Sequence, residues 1–228
     1  MRLTKRQRAG SRVIKAVIFD FDGVLIESTG IKTAAFARIF KGESAPDRER
    51  IMRYHLSNAG ISRFEKFRYI YRGILKKRLT QAKLKVLCAE FSLLVKEAVI
   101  AAPFVAGASG FLERNYRKLG LFVVSATPHN EIAEIIKRKN LSFYFREIYG
   151  APMHKGAAVR KIMADYSLAP EEIVYVGDAL SDYRAARENS IVFIARIKDN
   201  QELFSKIECI KLKDLSGLQG AINRMRNG

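Results

Sequence analysis

Val17-Ile18-Phe19-Asp20-Phe21-Asp22-Gly23-Val24-Leu25 is an apolar run, rich in β-branched residues, that carries two carboxylates two positions apart and a glycine directly after them. Side chains alternate along an extended strand, so Asp20 and Asp22 can point the same way as the strand leaves its sheet. Two like charges buried side by side are costly unless a cation sits between them or one keeps its proton. The pair therefore admits two readings: a metal or acid–base site, or an Asp-Gly turn that closes a strand.

Working outward, the segment from residue 29 to about 100 reads as helices only. Ile31, Ala34, Ala35, Ile39 and Phe40 fall at helical spacing, and apolar residues at i, i+3/i+4 predict further helices over 48–54, 62–72 and 80–98. Thr80 is the expected N-cap of the last, and Ser62 with Glu65 forms a capping-box pattern. Asn58-Ala59-Gly60 and Gly73 interrupt the series. Phe67, Tyr69 and Tyr71 read as helix packing, and Lys76-Lys77-Arg78 as a solvated face.

From Gly107 the pattern changes. A helix over 109–119 leads into a short apolar strand at 121–125, and Thr127-Pro128 supplies N-cap and N1 chemistry for a helix over 130–138. Next come a strand at 147–149, a helix over 156–166, a strand over 173–178 ending in Gly177-Asp178, a helix over 179–188, a strand at 191–195 and a last strand near 207–212. Strands that are apolar throughout and alternate with helices predict a parallel sheet covered on both faces. The helices over 29–100 interrupt that alternation as an inserted module.

Composition narrows the class. The 228 residues are 48% hydrophobic and 28% charged, which suits a folded globular chain. No apolar run approaches the roughly 18–20 residues of a membrane span, and the basic residues 1–12 are followed by a strand rather than by an export signal. Cys88 and Cys209 lie far apart in no metal-like spacing, as expected of free thiols in a reducing cytoplasm. With 41 Lys+Arg against 23 Asp+Glu the net charge is +18, which favours an anionic partner: nucleic acid, a membrane surface or a phosphorylated small molecule. The located excess is a basic tail at 1–12 and a basic stretch between Lys32 and Lys96.

Ligands of an open parallel sheet bind beyond the carboxyl ends of its strands. Asp20/Asp22, Ser125-Ala126-Thr127, Lys155, and Asp178 with Asp182 all fall at strand ends or in the loops that follow. Together they offer a nucleophile, a second carboxylate, a hydroxyl beside a helix N-terminus, a fixed cation and further acids for a metal, a set suited to phosphoryl transfer. His129 and His154 read as loop residues, and His55 as structural.

The order Asp-x-Asp-Gly-Val, strand–Ser, Lys, Gly-Asp-x-x-x-Asp resembles the haloacid dehalogenase superfamily of Mg²⁺-dependent phosphatases, from about Val13 to Ala195. The nearest subgroup is that of phosphoglycolate phosphatase and β-phosphoglucomutase. The resemblance implies an α/β fold with a Rossmann-like core (13–28 and 101–228), a helical C1-type cap (29–100) and a basic tail (1–12). It implies that Asp20 attacks phosphorus and that Asp22 is the general acid/base. Mg²⁺ would be held by Asp20, the Asp22 carbonyl and Asp178. The phosphoryl group would be bound by Gly23, Ser125, Ala126 and Lys155, and Asp182 would stand behind the metal or orient Lys155. The cap loop containing Arg63 and Lys66 is similar to one that reads the far end of the substrate. An acid at Asp22 favours phosphate esters over C–halogen or C–P bonds. Lys32 stands where mutases of the subgroup carry a histidine, so hydrolysis of a small phosphorylated metabolite is expected before phosphosugar mutation. A basic nucleic-acid or membrane-surface binder with a decayed site is the reading of another class. The retained acids argue against it.

Overall fold

The central strand β1 (Ala16–Phe19) has no solvent-exposed face. It pairs in parallel with β2 (Gly120–Pro128) on one side and β4 (Ile173–Gly177) on the other. The computed structural model describes residues 13–198 and 201–226; the basic tail at 1–12 lies outside them. Outward, β3 (Glu147–Ala151) joins β2, while β5 (Val192–Arg196) and then β6 (Ile210–Leu212) join β4, giving the order β3-β2-β1-β4-β5-β6, parallel throughout. Val17, Phe19, Val123 and Val176 face one core, and Ile18, Phe122 and Tyr175 face the other. Burial on both faces is why these strands are apolar at every position and not at alternate ones.

Between β1 and β2 the chain forms α1 (Thr29–Ile39), α2 (Ala45–Ser57), α3 (Arg63–Tyr69), a π-helical turn at Ile70–Ile74, and α4 (Gln81–Ala101). Local chemistry starts three of the helices. Ser44, Ser62 and Thr80 each accept a bond from the backbone N–H three residues on, at 3.3, 3.3 and 3.2 Å. These helices close on an aromatic cluster, with Phe36 at 4.9 Å from Phe91 and 5.4 Å from Phe67 between ring centroids. Each such ring, fully buried, contributes roughly 1.5–3 kcal/mol. Tyr69, by contrast, is exposed and stacks on Tyr54 at 4.1 Å.

The second half alternates as expected: α5 (Ala108–Asn115), α6 (His129–Arg138), α7 (Lys155–Asp165) and α8 (Leu180–Glu188). Two features depart from the sequence reading. β2 continues through Pro128 past an irregular register, so Pro128 and not Thr127 is the N-cap of α6, and the Thr127 side chain is left free for another use. The chain also ends in an unexpected helix, α9 (Leu218–Arg226), in which Leu218, Ala221 and Ile222 are fully buried at i, i+3, i+4 spacing. Among the described residues no helix is long and apolar enough to cross a membrane.

Candidate active site

Asp20 extends β1 by one residue, its N–H donating to Val176 O at 2.9 Å. The chain then folds back on itself, with Leu25 and Ile26 N–H donating to Phe21 O at 3.0 and 3.1 Å and Gly23 N–H donating to Ile26 O at 2.8 Å. Gly23 has φ +78°, and a Cβ there would lie 2.1 Å from Asp178 Oδ2, so glycine is what lets β1 and β4 bring their terminal acids together. Because its N–H is spent inside the turn, Gly23 shapes the site and does not donate to phosphate, correcting the expectation for that residue. Arg196, unnoticed in the sequence, secures the same turn by donating to Gly23 O at 3.1 Å. Gly23→Ala is expected to displace Asp178 and weaken activating metal at least tenfold, read as the Mg²⁺ concentration needed for half-maximal turnover, while the melting temperature falls only modestly.

The acids divide into two environments. Oxygens of Asp20, Asp178 and Asp182 lie within 4.8 Å of one another. Burial, opposed by Lys155 but reinforced by Asp182 and Asp22, pushes the Asp20 carboxyl up to about 7. Burial and the neighbouring Asp20 and Asp182 likewise raise Asp178 well above the usual range. Asp182, fully buried, is saturated: Oδ1 accepts from Lys155 Nζ at 2.6 Å and from Tyr175 O–H at 3.0 Å, and Oδ2 accepts from Ala179 N–H at 3.1 Å. That leaves it orienting Lys155, whose ammonium also lies 3.2 Å from Asp20 Oδ1. Burial alone would lower the Lys155 pKa, but Asp182 and Asp20 hold it above the ordinary value.

Asp22 faces other partners. Its Oδ1 accepts from Ser28 O–H at 2.6 Å, and its Oδ2 from Lys32 Nζ and from Thr127 O–H at 3.1 Å. Burial works to raise its pKa, yet Lys32 and these hydrogen bonds hold it below the usual value. Lys32 also donates to Thr127 Oγ1 at 2.8 Å. Ser125, buried at the end of the regular part of β2, accepts from Thr127 N–H at 3.1 Å and keeps its own hydroxyl proton to donate. The start of α6 directly follows, placing the positive end of a helix dipole near the site.

These groups line a cavity of about 70 Å³ between the strand ends and helices α1–α4, with Ala126 on one wall and Lys32, His55, Gly60, Arg63 and Lys66 opposite. The guanidinium of Arg63 is already gripped by both Glu131 oxygens at 2.9 and 2.5 Å and by Ser92 at 2.6 Å, tying α3 and α4 to α6. Lys66 is buried, and burial with Lys32 and Lys155 nearby lowers it to about 7. Sequence reading did not find the roles of Ser28, Thr127 and Tyr175: Thr127 passes for a helix cap and Tyr175 for an ordinary strand residue.

Three crowded carboxylates whose protons are held by burial and mutual repulsion are a hard-oxygen donor set that fits Mg²⁺. Comparison with known proteins agrees in kind. The family model described as haloacid dehalogenase-like hydrolase matches residues 17–196. The chain belongs to the haloacid dehalogenase-like hydrolase family. Among curated relatives of this hydrolase, a phosphorylated carbohydrates phosphatase from Thermotoga maritima is 27% identical over 78% of this chain and 82% of the relative. A phosphoglycolate phosphatase from Synechococcus elongatus is 24% identical over 93% and 99%. A predicted phosphatase from Clostridium acetobutylicum shares the fold of this hydrolase at TM-score 0.73 and 17% identity, covering 93% of this chain and 99% of that one.

Proposed function

We propose that this hydrolase is a Mg²⁺-dependent phosphatase of small phosphate monoesters that works through an aspartyl-phosphate on Asp20. The observation that carries the reading is the split between the two acids: Asp20 faces Lys155 and the carboxylate cluster, while Asp22 is held apart by Ser28, Lys32 and Thr127. The names of the curated relatives support the same class of activity.

A metal held by Asp20, Asp178 and the Asp22 carbonyl would supply the positive charge that offsets repulsion between an anionic nucleophile and an anionic phosphate. The protein's own groups account for the rest. Ser125 O–H, Lys155 Nζ and the backbone after Ser125 hold the phosphoryl oxygens, each such preorganised donor being worth on the order of 10²–10³ in rate. An Asp20 oxygen attacks phosphorus as the ester P–O bond breaks, and Asp22 protonates the departing oxygen. The lowered Asp22 pKa favours its base role, and an arriving phosphate dianion raises it again by like-charge proximity. Asp22 then takes a proton from the water that attacks the aspartyl-phosphate, releasing inorganic phosphate and regenerating Asp20.

Lys32 lies on Asp22, where a mutase of the subgroup would present a histidine, and this supports hydrolysis over transfer between sugar positions. Two free thiols, Cys88 and Cys209, suit a cytoplasmic setting. Hydrolysis of an aryl phosphate is expected with Mg²⁺ and is expected to stop on chelation and return on adding Mg²⁺. Turnover unaffected by chelator would reject the metal-assisted reading, and no turnover with tight, salt-sensitive DNA binding would favour a binding protein.

A further inference from the structure

Lys66 is a buried ammonium, 4% exposed, in the wall of the cavity opposite the catalytic acids. The other cations of that cavity are each matched to an acid: Lys32 to Asp22, Lys155 to Asp182 and Asp20, Arg63 to Glu131. Among the described residues, no carboxylate lies within ion-pair distance of Lys66, and Asp178 acts on it only from farther off. Its fixed contacts are uncharged. The ammonium donates to His55 Nδ1 at 3.2 Å and to His55 O at 3.3 Å, and stands 5.4 Å from the centre of the Phe36 ring.

His55 is arranged to hold it there. Burial first, then Lys66 and Lys32, lower the imidazole to about 3, so the ring is neutral. With Nδ1 accepting from Lys66, the ring proton sits on Nε2 and is donated to Thr33 Oγ1 at 3.2 Å, and Thr33 passes its own proton to Thr29 O at 3.0 Å. An ammonium has three N–H donors, two of which point at His55, leaving one for the cavity. A buried cation without a counter-charge is costly, and such a group in a cleft marks a place where a ligand supplies the missing charge.

Resting on the phosphatase reading, we propose that Lys66, presented by His55, receives a second anionic group of the substrate, so that the enzyme selects phosphate esters bearing a carboxylate or another phosphate near the scissile one. Arg63 is not the receptor, because both ends of its guanidinium are taken by Glu131 and Ser92. The small cavity favours a short spacing between the two anions.

Matched pairs test this: phosphoglycerate against glycerol phosphate for a carboxylate, and fructose bisphosphate against fructose phosphate for a second phosphate, each assayed with Mg²⁺ beside an aryl phosphate. Wild type is expected to prefer the anionic member of at least one pair in kcat/KM. The pair that shows it tells which anion is read. In Lys66→Met that preference collapses by about 10–100-fold, the worth of one hydrogen bond to a charged group, through a larger loss on the anionic member than on its neutral counterpart. The variant melts no lower than wild type, since it removes a buried charge. No preference in either pair, or equal losses on both members, overturns the receptor role while aryl phosphate turnover upholds the phosphatase. Absence of any turnover overturns both.

Discussion

Asp20→Asn is expected to reduce aryl phosphate turnover by on the order of 10⁴–10⁶, the scale of loss when an enzyme's nucleophile is removed, and to leave the protein at least as stable as wild type. The amide nearly matches the carboxylate in shape and keeps an oxygen toward Lys155, but it cannot form the acyl-phosphate. The stability half of the expectation follows from electrostatics. The Asp20 carboxyl, normally near 3.8, is pushed up to about 7 by burial, with Asp182 and Asp22 adding to it. In the metal-free protein the folded state therefore binds a proton that the unfolded chain has lost between those two values, so this group makes the fold less stable as pH rises through that window. Asn carries no such charge and flattens that slope. Steady-state turnover together with metal-free melting curves from pH 4 to 8 checks both halves; near-normal turnover would remove Asp20 from its role as nucleophile.

Asp182→Ala is expected to act in the opposite way on stability. Its oxygens serve Lys155, Tyr175 and the Ala179 N–H, and none faces open space. Removing one partner of a buried ion pair leaves the other charge uncompensated and costs about 3–5 kcal/mol. Here the loss also strands the Tyr175 hydroxyl, whose remaining acceptor is Val124 O at 3.3 Å, and the Ala179 N–H. Turnover should fall as well, because Lys155 loses the bond that aims it. Urea unfolding of the two variants side by side is the measurement. Equal destabilisation by Asp20→Asn and Asp182→Ala would contradict the division between an acid under tension and an acid fully satisfied.

The two cavity-wall residues singled out from the loop at 58–66 have different surroundings. Both are basic, both are buried and they lie three residues apart on one helix face, so sequence treats them alike. Arg63 meets Glu131, 68 positions away, because α6 happens to begin beside α3. Lys66 meets a neutral histidine. Whether a cation is spent on the fold or available to a ligand depends on what packs against it.

The parallel sheet was legible in the chain because burial on both faces writes itself into every position of a strand, as in Ile173–Gly177. Helix starts at Ser62 and Thr80 were legible because a cap is a contact between residues three apart. The strand-end placement of Asp20, Ser125, Lys155 and Asp178 followed from the same alternation, and the tertiary structure brings them to one end of the sheet. The helix at Leu218–Arg226 was readable by its spacing and was overlooked. Other features had no local signature. Thr127 looked like a cap until β2 ran past it and its hydroxyl met Asp22 across 105 residues of sequence. Tyr175 looked like any strand residue until its hydroxyl met Asp182. Local sequence thus determined the elements and the residue types at their ends, since periodicity and capping act over a few positions. The packing of α1–α4 against the sheet decided which charges cancel and which one is left facing the cavity, since electrostatic partners are chosen by distance in space.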